Sequence, residues 1–182
     1  ALGAGLALNL SACGGSEESG GNTLPKTGKP RFPSVDLTIA HINDHHSQLD
    51  PFVDTELQID GVATRVELGG FPRVTAAFKA YDKRKDVIRL HAGDAVTGSL
   101  YYTLFKGEAD AALMNTVCFD AFELGNHEFD EGTDELLRMQ NGGCHPVDGC
   151  YFPDEPYAGA DFPWLAANVI KKSNGRTFLP GT

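Results

Sequence analysis

The chain is expected to fold as an α/β domain, and three observations carry that reading. Strand-like and helix-like segments alternate, three of the strand-like segments end abruptly in polar side chains, and no internal repeat recurs at periods of 20 to 50 residues. The three polar endings are Leu37-Thr-Ile-Ala-His-Ile-Asn-Asp-His-His46, Val87-Ile-Arg-Leu-His-Ala-Gly-Asp-Ala-Val-Thr-Gly-Ser99 and Asp120-Ala-Phe-Glu-Leu-Gly-Asn-His-Glu-Phe-Asp130. In α/β folds, chemistry gathers where strands end, so these segments are where a site is expected.

Val35 to Ile42 alternates and is rich enough in β-branched residues for a strand. Ser47 to Val62 is mixed and polar, and is expected to be a loop. Gly69-Gly-Phe-Pro72 opens a helix with Pro in its first turn, and Phe71, Val74, Ala77, Phe78 and Tyr81 recur at helical spacing. After the charged turn Asp82 to Asp86, Val87 to Ala92 is a second strand. Gly107 to Val117 is helical, Cys118 to Leu124 a strand, Gly132 to Gln140 a short helix, Asp154 to Ala160 a loop and Trp164 to Ile170 a final strand.

The 182 residues, 41% of them hydrophobic, suffice for one domain core. Residues 1–13 form a separate segment: the apolar opening is like the back half of a signal peptide, and Leu10-Ser-Ala-Cys13-Gly14 resembles a bacterial lipobox, which makes Cys13 the expected lipidation site. Residues 14–35 are Gly-, Ser- and Pro-rich and are expected to be a flexible tether, leaving 36–182 for the folded part. The apolar opening is well short of the ~20 residues that cross a bilayer. An exported protein, in the periplasm or at the surface of a bacterial cell and held to the membrane through lipid alone, is therefore expected. In an oxidising compartment Cys144 and Cys150, flanking a turn-rich loop, are expected to form a disulfide. Cys118, in an apolar run, is expected to be a small buried residue.

The formal charge is −10, from 25 acidic and 15 basic residues, and there is no Lys/Arg cluster. That argues against a nucleic-acid polymer as partner. Acidic groups beside histidines instead suit cations.

Asp44 and His46, two residues apart, can face one side as the chain leaves its strand and hold one metal. Gly93 allows a tight turn that presents the Asp94 carboxylate, which can bridge two cations. Asn126 offers a carbonyl oxygen to a metal and His127 can point at substrate, while Asp130, three residues on, can reach back to orient the imidazole and favour its protonated form. Taken singly, each pattern is common in ordinary loops; their co-occurrence in order is what points to chemistry.

Ile42-Asn-Asp-His-His46, Gly93-Asp-Ala-Val-Thr-Gly-Ser99, Gly125-Asn-His-Glu-Phe-Asp130 and Ala167-Asn-Val169 together resemble the calcineurin-like metallophosphatases, specifically the bacterial 5′-nucleotidase branch, over about Leu37 to Val169. The surrounding wording looks like exported NAD nucleotidases. The resemblance implies a layered α/β/β/α sandwich, of which this chain would be the N-terminal portion of the catalytic domain. It further implies two divalent metal ions, Zn, Mn, Co or similar, with Asp44 and His46 on the first, Asp94 bridging and Asn126 on the second, and a His127–Asp130 catalytic dyad. A nucleotide, AMP, NAD or related, would be the substrate. Two further histidines and a Gln or His that complete the metal shells in the family have no match here, nor does the nucleoside-gripping domain. The piece alone is therefore expected to bind metal weakly and turn over little substrate. Two other outcomes stand beside this one: a cyclic-phosphodiesterase/3′-nucleotidase or thiosulfohydrolase of the same fold, and a surface lipoprotein that binds without catalysis.

Overall fold

Trp164, Phe122 and Phe162 are the aromatic centre around which the strands assemble. Phe122 is fully buried and its ring lies 4.5 Å, centroid to centroid, from that of Trp164. The computed structural model describes residues 34–179, and those from Val35 onward pack as one compact unit. Cys13 and the apolar opening lie outside the described residues.

Four parallel strands form the main sheet in the order β1 (Thr38–Ile42), β4 (Val87–His91), β5 (Ala121–Glu123), β6 (Trp164–Leu165). Parallel neighbours need crossovers, and the helical segments supply them: α1 (Phe71–Lys79) between β1 and β4, α2 (Leu100–Phe105) and α3 (Glu108–Asn115) between β4 and β5, α4 (Thr133–Asn141) between β5 and β6. β1 alternates, with Ala40 and Ile42 turned to the core and Ile39 and His41 exposed. Apolar side chains from the strands and helices, Phe71, Met114, Phe122, Leu136 and Trp164 among them, form one core cluster.

Several expectations need correction. Ser47 to Val62 is not a loop: it enters an antiparallel hairpin of β2 (Pro51–Ile59) and β3 (Val62–Gly69). Asp60-Gly61 is its turn, with φ of 51° and 79°, the two positive values that a tight two-residue hairpin loop demands. The hairpin is mostly exposed on both faces, so no apolar alternation announced it. Helix α2 was not expected; Ser99 starts it, its Oγ accepting from the Tyr101 amide at 3.2 Å. Strands β5 and β6 are much shorter than Cys118–Leu124 and Trp164–Ile170, because the chain turns at both places. Cys118 is exposed, with φ of 59°, where burial was expected. Cys144 and Cys150 are joined, with Cα atoms 4.4 Å apart across a loop that folds back through paired His145 and Gly149.

Replacing Phe122 by Ala removes the central ring of the aromatic stack and is expected to lower the unfolding free energy by about 3–5 kcal/mol in urea denaturation. A loss below about 1 kcal/mol would place the core elsewhere.

Candidate active site

Strands β1, β4 and β5 run side by side, so the segments that follow them emerge at one edge of the sheet. The first two stay paired beyond their strands: the Ala92 amide donates to Ile42 O, Asp44 to Gly93 O, His46 to Asp94 O and Ser47 to Ala95 O, at 2.8–3.2 Å. Ser99 Oγ adds a 2.6 Å bond to the Ser47 carbonyl. The third segment is pressed onto the second. A Cβ on Gly93 would stand 2.8 Å from Gly125 Cα, and one on Gly125 would stand 2.5 Å from the Asp94 amide nitrogen, so neither position has room for a side chain.

Glu128 locks this arrangement. It sits in the single 3-10 turn His127–Phe129, is only 1% exposed, and accepts from three backbone amides: Asp94 at 3.0 Å, Ala95 at 2.8 Å and Gly125 at 2.6 Å. Burial pushes its carboxyl above the usual range, with the three amides opposing. Asp94 in turn accepts the His127 amide through Oδ1 at 3.0 Å.

The structure places the expected site residues as follows. Ligand atoms of His46, Asp94 and His127 all lie within 4.8 Å of one another. Asp44 Oδ1 is 3.8 Å from His46 Nε2, and the Asn43 side-chain amide on its other oxygen holds the Asp44 carboxyl below the ordinary range. The rings of His46 and His127 meet edge to face at 4.9 Å. Asn126 stands exposed at the head of the 3-10 turn. Asp130 Oδ2 lies 2.7 Å from His127 Nδ1, and this bond, above all, raises the imidazole's pKa. Asp44, His46 and Asp94 all have positive φ, 52°, 48° and 51°. Such backbone costs on the order of 1–3 kcal/mol per residue and persists only where neighbours hold it.

Carboxylates and imidazoles aimed at one another from separate segments fit a divalent cation of borderline softness, which accepts both oxygen and nitrogen. The set comes from the three polar strand endings of the sequence. A model of the calcineurin-like phosphoesterase family matches residues 37–178. The chain belongs to the calcineurin-like phosphoesterases. Among members of this family, NAD 5′-nucleotidase of Haemophilus influenzae is 50% identical over 152 residues, which is 83% of this chain and 22% of that protein. The solved structure of Haemophilus influenzae NAD nucleotidase superposes with a TM-score of 0.60 at 46% identity, covering 75% of this chain and 21% of the other. A 5′-nucleotidase precursor from Thermus thermophilus superposes with a TM-score of 0.56 at 33% identity, covering 72% of this chain and 22% of that one. The chain thus spans well under a third of the length of these calcineurin-like relatives.

Four polar residues around the site went unassigned in the sequence: Glu128, His45, His91 and Asp110. Asp110 left a trace, since with Ala111 and Met114 it forms the buried stripe of α3, and a carboxylate on such a stripe requires a partner. Glu128 left none, because spacing does not show that a residue between His127 and Phe129 turns inward. His91 closes β4 almost fully buried; burial, with His45 beside it, pushes its pKa down to about 3, so the ring is neutral.

Two outcomes follow. Glu128→Ala strands three amides that lose their acceptor, at about 1–3 kcal/mol each, and is expected to lower the urea midpoint sharply; an unchanged midpoint would remove Glu128 as the clamp. For His91 the folded pKa lies below the unfolded 6.5, so the unfolded chain binds the extra proton and stability is lost as pH falls from 6.5 toward 3. In chelator, the unsubstituted chain should lose up to about 1.4 kcal/mol per pH unit more across that window than His91→Phe does. Parallel pH profiles would contradict the neutral buried ring.

Proposed function

We propose that this chain supplies metal-holding and charge-stabilising groups of a metal-dependent phosphoric ester hydrolase that removes phosphate from nucleotides such as AMP and also cleaves the pyrophosphate bond of NAD, substrates favoured by its similarity to the Haemophilus enzyme. The convergence of His46, Asp94 and His127 within 4.8 Å, with Asp130 on His127, is the observation that carries the reading.

In it, Asp44 and His46 would hold one divalent ion, Asp94 would be shared between two, and Asn126 would serve the second. The chemistry supplied by divalent ions in such a site is Lewis-acid polarisation of a phosphoryl oxygen and acidification of a water molecule. His127 does the remaining work from the protein side. Its Nδ1 is tied to Asp130, which leaves Nε2 for a phosphoryl or leaving-group oxygen and favours the cationic ring that would stabilise negative charge or deliver a proton there. The left-handed backbone at Asp44, His46 and Asp94 is part of the same device, holding donors in place before substrate arrives.

The reading extends to location. The lipobox-like Leu10 to Gly14 and the tether after it support export and lipid anchoring, which would bring the site to nucleotides outside the cytoplasm. Among the described residues no helix is long and apolar enough to cross a membrane.

Release of phosphate from AMP, of mononucleotides from NAD and of p-nitrophenol from bis-p-nitrophenyl phosphate by protein made from the complete coding sequence is the test. Release is expected to vanish in EDTA, to return with added Mn²⁺ or Zn²⁺, and to fall by about 10²–10⁴-fold in His127→Ala. Chelator-insensitive hydrolysis would sink the metal mechanism, and no release from any of the three esters would leave a binding protein.

A further inference from the structure

Behind the donor cluster runs a line of polar groups that the proposed hydrolysis does not use. Asp110 on α3 is fully buried, and its Oδ1 lies 3.2 Å from His45 Nε2. His45 Nδ1 lies 2.9 Å from His91 Nε2, and His91 Nδ1 receives the Gly93 amide at 3.1 Å.

The last bond sets the direction of all the others. A backbone amide can only donate, so His91 Nδ1 carries no proton and the neutral ring bears its hydrogen on Nε2. That hydrogen points to His45 Nδ1, which must then be the acceptor. His45 carries its own hydrogen on Nε2 and donates it to Asp110. One set of tautomers satisfies every link, and it ends on an acceptor that needs no proton of its own.

Two members of this relay, His45 and Gly93, sit on the two loops that present candidate ligands. His45 stands between Asp44 and His46, while Gly93 immediately precedes Asp94. Asp44, His46 and Asp94 all have backbone in the left-handed region, which relaxes unless something outside the loops restrains it. Asp110 supplies that restraint at a cost to itself: its second oxygen, Oδ2, is buried without a hydrogen-bond partner. A carboxylate serving only the start of α3 would gain from facing water. This one faces His45.

We propose that Asp110, His45 and His91 are positioning residues that fix the separation of the Asp44–His46 loop from the Asp94 loop, and so set the affinity of the site for divalent cations. The relay touches neither cation nor substrate; it acts through the ligands it places, as groups behind metal-bound side chains do elsewhere. The proposal rests on the metal reading of the site.

The test is a calorimetric titration of Mn²⁺ into protein made from the complete coding sequence, unsubstituted and as His91→Phe, His91→Asn and Asp110→Asn, beside thermal unfolding of each in EDTA. His91→Phe cuts the relay and is expected to weaken Mn²⁺ binding about 10- to 100-fold. His91→Asn, whose side-chain oxygen can still accept the Gly93 amide, is expected to recover part of that loss without a matching recovery in EDTA stability, a split that a purely structural role would not produce. Unchanged Mn²⁺ affinity in folded His91→Phe and Asp110→Asn overturns the relay alone, whereas no Mn²⁺ binding by the unsubstituted complete protein overturns the metal reading with it. Should the variants fail to fold, ¹⁵N NMR of the histidine rings in the unsubstituted chain decides: protons on Nε2 of both His45 and His91 support the relay, and a proton on His91 Nδ1 overturns it.

Discussion

Glu128 is the residue on which the geometry of the site depends. Three chain segments leave the sheet with their amides pointing into a space that water does not reach, and one buried carboxylate satisfies three of them. Without that acceptor the Asp94 turn and the Gly125 turn would each need another partner, and the Gly93 and Gly125 backbones could not lie against each other as they do. The cost of burying the carboxylate is visible in its raised pKa. Three amide donors offset that cost, and the outcome is a rigid junction between motifs far apart in the sequence.

A second consequence concerns charge. The junction pushes Asp44, Asp94, His46 and His127 toward one another on a chain that already carries −10. Carboxylates close together repel, and a divalent cation relieves that repulsion. Asp130 is bonded to His127 Nδ1 and favours the positive form of that ring.

Much of this was legible in the amino-acid order, and the reasons differ from residue to residue. Asp44, His46, Asp94, Asn126, His127 and Asp130 stand in short motifs whose local spacing, two residues or three, already limits where side chains can point. The α1 helix announced itself through apolar periodicity and a Pro in its first turn, and it carries buried residues on one face. The β2–β3 hairpin escaped because its strands lie mostly in solvent and need no apolar alternation; only Asp60-Gly61 betrayed it. Cys118 misled because an apolar neighbourhood in sequence is not burial in space, and the chain turns there with its thiol outward.

What the sequence determined by itself is the chemistry on offer: which donors follow which strands, and that an α/β core would bring strand ends to one edge. Only the tertiary structure decided which atoms meet. His45 reaches Asp110 across 65 positions, His91 meets His45 across 46, and Glu128 captures amides 33 and 34 residues away. No local propensity encodes such pairs. They exist because the parallel register of β1, β4 and β5 closes those distances, and because a polar group once buried must find a partner wherever the fold has placed one.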